Sequence, residues 1–275
     1  MTVTRFAPSP TGYLHLGHAH SALVGWHKAR AETGRFLLRI EDIDPARCRP
    51  EFEAAILEDL GWLGLEWEQP VRRQSDHLAD YQGALDRLRG LGVLYPCFCS
   101  RKDIAAAVSA PHGPEGPIYP GTCRNQPADL VRERQARGDP YALRLDVAKA
   151  RTMTGPLSFQ DQREGTVEAR PETLGDVVLA RRDAPASYHL CVTVDDHLQG
   201  VTLVTRGVDL FHATHIHRLL QAILDLNVPT YLHHLLLTNA AGERLSKRDG
   251  AMALMAMRQA GRSGAEVRAL AGFPD

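Results

Sequence analysis

The 275-residue chain has the composition of an ordinary globular protein, with 44% hydrophobic and 24% charged residues. With a formal net charge of −1, the chain must hold any nucleic-acid partner through a local basic patch. It contains no apolar run long enough to cross a bilayer and no secretory signal, and its five cysteines are an odd number. We therefore expect a cytoplasmic protein with no membrane partner and no disulfide framework.

The first fifty residues predict a βαβ unit, with a strand over 2–7, a helix that stops at Gly34 and a strand over 36–40. A proline-rich loop, PSPTG, separates the first strand from the helix, because proline lacks an N–H group and restricts the residue before it. The second strand leads into an acidic run, EDID, that begins at Glu41. Ligands of parallel sheets bind outside the carboxyl ends of the strands, so we expect the loop and the acidic run to share one site.

Further along, the pattern predicts helices over 52–62, 78–91 and 215–226. Parallel-sheet patterning resumes in the stretches GDVVLARR and LCVTVDDHLQGVTLVTRGVDL, residues 175–182 and 190–210. The region between Tyr95 and about Glu172 is rich in Pro, Gly and Cys and indicates an inserted subdomain. The expected organisation is a core in two parts, residues 1–94 and 173–239, with an insertion over residues 95–172. A C-terminal loop with a short tail follows over residues 240–275.

Two histidines, His15 and His18, stand at the start of the first predicted helix. They can share a metal ion, they can be ordinary polar residues, or they can bind phosphate, since a helix amino end attracts anions and imidazoles donate hydrogen bonds to phosphate oxygens. The longer string PSPTGYLHLGH resembles the first signature of class I aminoacyl-tRNA synthetases, whose H-x-G-H lies under ATP. The resemblance implies that His15, Gly17 and His18 bind ATP, with both histidines catalytic.

The second signature of that class is expected far downstream, and RLSKR, residues 244–248, resembles its mobile lysine loop. Among 32 basic residues only four are lysines, and one of the four is Lys247. A compact ammonium on a flexible stem suits a moving phosphate, whereas arginine suits fixed bidentate contacts. A solvated loop charge is the alternative. The resemblance implies that Ser246 and Lys247 bind ATP together with Mg²⁺, and that Lys247 is catalytic.

Four strings, RFAPSPTGYLHLGH, LLRIEDID, VDDHLQGVTLVTRG and LSKRDGA, are together similar to those of glutamyl-tRNA synthetases. Glutamate has two carboxylates, which Arg5 and Arg206 can bind as forks, and one ammonium, which Glu41 can hold. Neutral hydrogen bonds complete such a site, and isolated surface ion pairs are the alternative for each charge taken alone. The resemblance implies a glutamate site made by Arg5, Phe6, Ala7, Pro8, Ser9, Glu41, Tyr188 and Arg206.

Glutamyl-tRNA synthetases continue past the lysine loop into a helical domain that reads the anticodon, whereas 27 residues follow Arg248 here. The shorter chain resembles the glutamyl-Q tRNA(Asp) synthetases. The resemblance implies an α/β, Rossmann-like class I catalytic core with an inserted zinc-containing subdomain and without an anticodon-binding domain. It also implies a ligase that forms glutamyl-adenylate from ATP and L-glutamate and passes the glutamyl group to queuosine in the anticodon of tRNA(Asp).

Three alternatives to that function stay open, and we expect a monomer in each case. The chain can be a truncated glutamyl-tRNA synthetase that charges a 3′ end, a non-catalytic paralogue that binds glutamate or tRNA, or a small-molecule nucleotidyltransferase. One departure bears on the tRNA-facing surface: the family usually has R-G-E-D-H where this chain has RGVDL, with Val208 and Leu210.

Three cysteines of the insertion, in the strings PCFCS and YPGTC, suit a structural zinc site. The resemblance implies Zn²⁺ bound by Cys97, Cys99, Tyr119 and Cys123. Tyrosine is a rare zinc ligand, so His112 stays open as the fourth ligand, and three buried free cysteines are the alternative to any metal. Cys48 and Cys191 have no partner pattern and are expected to be structural.

Overall fold

A computed structural model of the chain describes residues 1–100, 102–103, 112–113, 116–181, 184–238 and 252–274. The strands are β1 (Val3–Phe6), β2 (Arg35–Ile40), β3 (Glu68–Arg73), β4 (Leu94–Cys97), β5 (His112–Gly113), β6 (Gly116–Pro117), β7 (Ala142–Leu145), β8 (Ser158–Asp161), β9 (Gly165–Glu168), β10 (Val178–Arg181), β11 (Leu203–Gly207) and β12 (Thr230–His234). The helices are α1 (Leu16–Ala31), α2 (Pro50–Trp62), α3 (Leu78–Gly90), α4 (Ala128–Ala136), α5 (Val147–Thr154), α6 (Tyr188–Leu198), α7 (Ala213–Ile223), α8 (Leu254–Gln259) and α9 (Gly264–Leu270).

The βαβ unit that the sequence predicts is present at the start of the chain. β1 pairs in parallel with β2, and β2 pairs in parallel with β3. The apolar spacing of α1 buries Ala19, Ala22 and Leu23 against this sheet, and the pairing of β2 buries the run from Phe36 to Ile40. Local patterning therefore predicts the first strand, helix and second strand of this half of the core.

The second half of the core repeats the arrangement on the other side of β1. β11 pairs in parallel with β12, β12 pairs in parallel with β8, and β9 closes the edge in the antiparallel sense. The backbone N of Thr202 donates to the carbonyl O of Val3 at 3.0 Å, and Arg5 reaches the carbonyl O of Thr205. β1 and β11 thus run side by side in the same direction, and the strand order reverses between them. Open α/β sheets bind their ligands at such a switch point.

Two sequence predictions about the later strands are wrong. Within the stretch 175–182, Val178–Arg181 form β10, which pairs antiparallel with β7, and β7 pairs antiparallel with β4, because strand direction is decided by partners that lie far away in the chain. Residues 190–198 lie in helix α6 and not in a strand. Every residue from Leu190 to Asp196 is buried, so the helix has no polar face to reveal its period. Its start is fixed by Ser187, whose Oγ accepts from the backbone N of Leu190.

The segment 95–172 contributes to three sheets. β7 lies between β4 and β10, β5 pairs with β6, and β8 and β9 extend the core sheet next to β12. The predicted helix over 215–226 is α7, which begins and ends slightly earlier. No helix in the described part of the chain is both long and apolar enough to span a membrane.

The C-terminal helices pack on the amino-terminal half of the core. Leu254, Val267 and Ala271 are buried with Leu14 and Leu23 in one apolar cluster. The chain on the far side of the lysine loop is therefore anchored beside the start of α1.

Candidate active site

The amino end of α1 holds the first group of predicted site residues. Nδ1 of His15 accepts from the backbone N of Gly17 at 3.1 Å, and Nδ1 of His18 accepts from the backbone N of His15 at 3.1 Å. The two ring centroids are 3.8 Å apart. Because both rings accept through Nδ1, each neutral imidazole carries its proton on Nε2, where it is a donor suited to phosphate oxygens. A Cβ on Gly17 would lie 3.1 Å from Cε1 of His15, so an alanine there would push that ring aside by a few tenths of an ångström.

A cavity of about 220 Å³ lies next to these rings, at the switch point of the sheet. It combines a helix amino end with residues that follow β11 and β12, a setting that favours phosphates. The residues that line it include His15, Gly17, His18, Ser21, Gly207, Asp209, Leu236 and Leu237.

Ser246 and Lys247 lie outside the described residues. The described chain on both sides of residues 239–251 nevertheless adjoins the same cavity. Leu237 lines it, and on the far side the backbone N of Leu254 donates to the carbonyl O of Leu14 at 2.8 Å, beside His15.

The guanidinium of Arg206 is buried among uncharged acceptors. Its Nη1 donates to Oη of Tyr188 at 3.3 Å and to Nδ1 of His217 at 3.2 Å, and its Nη2 donates to Oγ1 of Thr214 at 2.6 Å. Its Nε donates to Nε2 of His233 at 3.1 Å. Within the described part of the chain, no carboxylate forms an ion pair with Arg206. A buried cation whose charge is not offset by a carboxylate of the described residues is suited to bind an anionic ligand.

The histidines around Arg206 are held in their neutral form. Burial and the charge of Arg206 lower the pKa of His233 to about 4, and the same two causes place the pKa of His217 well below its usual range. Neutral rings can accept hydrogen bonds from a guanidinium, which protonated rings cannot do. The ring of His189 continues the chain, with its Nδ1 lying 3.2 Å from Nε2 of His217.

Arg5, in contrast, is already paired with a carboxylate of the protein. Its Nε donates to Oδ1 of Asp196 at 3.0 Å, and the same oxygen accepts from Nη1 of Arg39 at 2.8 Å. Arg39 is fully buried and also reaches Glu41 and Asp195. Burial would raise the pKa of Asp196, but Arg5 and Arg39 hold it below its usual range. Asp196 therefore fixes the orientation of Arg5, and its negative charge offsets the positive charge of Arg5.

The predicted loop and acidic run lie side by side, as expected from the sequence. The backbone N of Glu41 donates to the carbonyl O of Pro8 at 3.0 Å. Phe6 and Pro8 are buried, Ala7 is half-buried, and the exposed Ser9 has its Oγ 3.9 Å from Sγ of Cys48. The carboxyl end of β1 and the start of the acidic run are thus adjacent.

The charges that act on Tyr188 show that the predicted residues converge. Burial raises the pKa of Tyr188, and the surrounding charges that shift it further are those of Arg206, Glu41, Arg5 and Asp196. Burial also raises the pKa of Glu41, although Arg39 and Arg5 oppose this effect. An ammonium group bound beside Glu41 would favour its ionised form. The switch point therefore offers groups of both signs for a zwitterionic ligand.

A cluster of three thiols lies in the inserted region. The sulfur atoms of Cys97, Cys99 and Cys123 all lie within 4.8 Å of one another, and this cluster could hold a metal ion. Oη of Tyr119 lies 3.7 Å from Sγ of Cys99 and accepts from the backbone N of Cys123 at 2.8 Å. The side chain of His112 lies outside the described part of the chain.

Comparison with known proteins agrees with this arrangement. The model of the class I tRNA synthetase (E and Q) catalytic domain matches residues 1–269. The glutamyl-Q tRNA(Asp) synthetase of Rhodobacter capsulatus is 53% identical over an alignment that covers 98% of this chain and 100% of that protein. The chain belongs to this family of class I tRNA synthetases. The glutamyl-Q tRNA(Asp) synthetase of Nocardia farcinica is 45% identical, with 97% of this chain and 82% of that protein covered.

Solved structures show the same fold in a larger synthetase. The glutamate-tRNA synthetase of Elizabethkingia anophelis superposes with a TM-score of 0.78 at 28% identity and covers 90% of this chain. The chain spans about half of that protein, with 53% of its length covered. The predicted fold class is thus confirmed as the class I catalytic domain, and the family is one of ligases.

Several residues of the site were not predicted from the sequence. Asp196 lies in the string VDDH, whose pattern predicts no role for it, although its carboxylate accepts from both Arg5 and Arg39. The acceptors around Arg206 come from places far apart in the chain, and no spacing connects them. The sequence did offer one chemical signal for them, namely polar side chains within runs that are otherwise apolar. Such side chains are buried only when they have hydrogen-bond partners. These residues are Thr214, His217 and His233.

Proposed function

We propose that this chain activates glutamate as glutamyl-adenylate and transfers the glutamyl group to queuosine in the anticodon of tRNA(Asp). The observation that carries the glutamate part is Arg206, a buried guanidinium held by uncharged acceptors and without a carboxylate partner among the described residues. The tRNA part is supported by the names of the relatives that match along nearly the whole chain.

ATP binds in the cavity at the amino end of α1, with His15, Gly17 and His18 beneath its phosphates. One carboxylate oxygen of glutamate attacks the α-phosphorus, the bond to the bridging oxygen breaks, and pyrophosphate leaves with Mg²⁺. Nε2–H donors of the two histidines and the ammonium of Lys247 stabilise the negative charge that builds on the phosphate oxygens. Ser246 adds a neutral contact to ATP. The position of Leu237 at the cavity, and of Leu254 against Leu14 next to His15, supports the assignment of Ser246 and Lys247.

Glutamate binds at the adjoining charged group. Arg206 binds one carboxylate with its full charge, and Arg5, which Asp196 holds in place, contributes a weaker interaction. Glu41 holds the ammonium, and Tyr188 and Ser9 add neutral hydrogen bonds. Phe6, Ala7 and Pro8 complete the glutamate site. Glutamine lacks the second negative charge, so it leaves a buried guanidinium unpaired and binds poorly.

The adenylate then passes its acyl group to a hydroxyl of the RNA. A hydroxyl oxygen of queuosine attacks the carbonyl carbon, a proton leaves that oxygen, and AMP departs with the electrons of the broken acyl–phosphate bond. No protein nucleophile is needed for either step.

The thiols of the inserted region would hold a zinc ion with a structural role. Tetrahedral coordination at about 2.3 Å places sulfur atoms about 3.8 Å apart. The 3.5 Å between the sulfurs of Cys99 and Cys123 is close to this value and too long for a disulfide. Cys97 supplies the third thiolate and Tyr119 the fourth ligand. Binding would fix two loops that share a small apolar cluster.

The test is glutamate-dependent exchange of pyrophosphate into ATP, measured with and without tRNA. The parent chain should support exchange with glutamate and not with glutamine, and Arg206→Gln should raise the glutamate KM at least about tenfold, since a hydrogen bond to a charged group contributes about 1.5–3 kcal/mol. Arg132→Gln, on the exposed face of α4, is the control and should leave the glutamate KM unchanged. Equal exchange with glutamate and glutamine would refute the assigned pocket.

A further inference from the structure

A second pair of buried residues stands behind Arg206, and neither has a role in the chemistry above. Nδ1 of His233 lies 2.6 Å from Oδ2 of Asp161, and the opposite ring nitrogen accepts from Nε of Arg206 at 3.1 Å. All three side chains are at most 4% exposed. The three residues form a line from a carboxylate through an imidazole to a guanidinium.

The orientation of Asp161 is fixed by the turn that follows β8. Its Oδ1 accepts from the backbone N of Arg163 at 2.8 Å and from the backbone N of Glu164 at 3.1 Å. These two donors hold one oxygen, so the other is directed at the ring of His233. The backbone N of His233 also donates to Oδ2, at 3.3 Å.

An ionised carboxylate only accepts hydrogen bonds, so the ring proton of neutral His233 must lie on Nδ1. The lone pair of Nε2 then faces Arg206. With the other tautomer, an N–H of the ring would face Nε–H of Arg206, which would lose this acceptor, while the ring N–H could donate to Oγ1 of Thr214, 3.1 Å away. The tautomer of His233 thus decides whether Nε of Arg206 has an acceptor.

We propose that Asp161 and His233 are positioning residues that orient Arg206 for the glutamate carboxylate while keeping its charge available. The comparison with Arg5 supports this reading. Asp196 touches Arg5 directly and offsets its charge, whereas the imidazole of His233 separates Asp161 from Arg206. The role rests on the proposed function, because it concerns the affinity of the same site for glutamate.

Asp161→Asn is the decisive variant. The two backbone donors claim the amide oxygen of the new side chain, so its NH₂ group faces Nδ1 of His233 and forces the proton to Nε2. We expect the glutamate KM in pyrophosphate exchange to rise at least about tenfold, because a charged donor loses its acceptor. The ATP KM should stay within about twofold of the parent value, because Asp161 is not among the residues that line the cavity beside His15.

His233→Gln is the matched control. Its amide can donate to Asp161 and accept from Arg206 at once, so the glutamate KM should stay within about threefold of the parent value. His233→Leu removes the acceptor and should behave like Asp161→Asn. If Asp161→Asn fails to fold, the contrast between the two His233 variants decides the question.

The tautomer is read directly by long-range ¹H–¹⁵N NMR of protein labelled at histidine. The His233 signals are those absent from His233→Gln, and they should indicate a proton on Nδ1 in the parent and on Nε2 in Asp161→Asn. A changed tautomer with an unchanged glutamate KM would overturn the positioning role, and so would an unchanged tautomer. Absence of glutamate-dependent exchange by the parent chain would instead refute the proposed function itself.

Discussion

Asp196→Asn is the substitution that most directly tests the buried ion network beneath the site. The change preserves the shape of the side chain and removes its charge. Asp196 accepts from Arg5 at 3.0 Å and from Arg39 at 2.8 Å, and Arg39 has no exposed surface. We therefore expect a loss of both stability and glutamate affinity.

The size of the stability loss follows from burial. Breaking a buried ion pair by removing one partner costs about 3–5 kcal/mol, because the other charge is left uncompensated. Arg39 still has Glu41 and Asp195 within reach, so the expected loss in the free energy of unfolding is at the low end, about 3 kcal/mol. Domains are stable by about 5–15 kcal/mol in total, so the effect should be plain.

The assay is urea unfolding at pH 7, followed by circular dichroism, together with the glutamate KM in pyrophosphate exchange. Asp129→Asn is the control, because Asp129 also pairs with an arginine, Arg132, but on the open surface. It should leave both measurements unchanged. A loss below about 1 kcal/mol in Asp196→Asn, with an unchanged glutamate KM, would show that the network neither stabilises the core nor orients Arg5.

Four further outcomes are expected. Lys247→Ala should slow glutamyl-adenylate formation without changing the melting temperature, and activation at the parent rate would exclude its role with ATP. Gly17→Ala should raise the ATP KM, since the new Cβ displaces the ring of His15, and an unchanged ATP KM would contradict that role. Purified protein should contain one zinc ion by elemental analysis, and Cys123→Ser should lose it. Burial and Arg206 lower the pKa of His233 to about 4, so between pH 6.5 and 4 the unfolded state is protonated at this histidine and the folded state is not. The free energy of unfolding should therefore decrease as the pH is lowered from 6.5 to 4. His233→Gln should reduce this slope in urea titrations.

Much of the core follows from local pattern. The strand, loop, helix and strand that begin at Val3 are each specified by short-range signals, such as the prolines of the loop and the apolar spacing of α1. The position of the site at the carboxyl ends of the strands follows from general rules of parallel sheets. The motif residues His15 and Glu41 were therefore placed correctly relative to the strands.

The remaining features depend on contacts between distant parts of the chain. α6 is buried from Leu190 to Asp196, so its sequence pattern predicted a strand, and the direction of β10 depends on β7. The sequence also did not predict that a carboxylate offsets the charge of Arg5 and not that of Arg206, since both residues follow similar apolar runs. Their partners, Asp196 and His233, are set by tertiary packing and by no local spacing.

The transfer of labelled glutamate to RNA tests the central claim most directly. The substrates are an anticodon stem-loop of tRNA(Asp) with queuosine, the same stem-loop without it, and a full tRNA(Asp) that carries queuosine but lacks its 3′-terminal adenosine. The account predicts glutamylation of the first and third and no product from the second. A product that requires the 3′ adenosine and forms without queuosine would contradict it and identify a synthetase that charges the 3′ end.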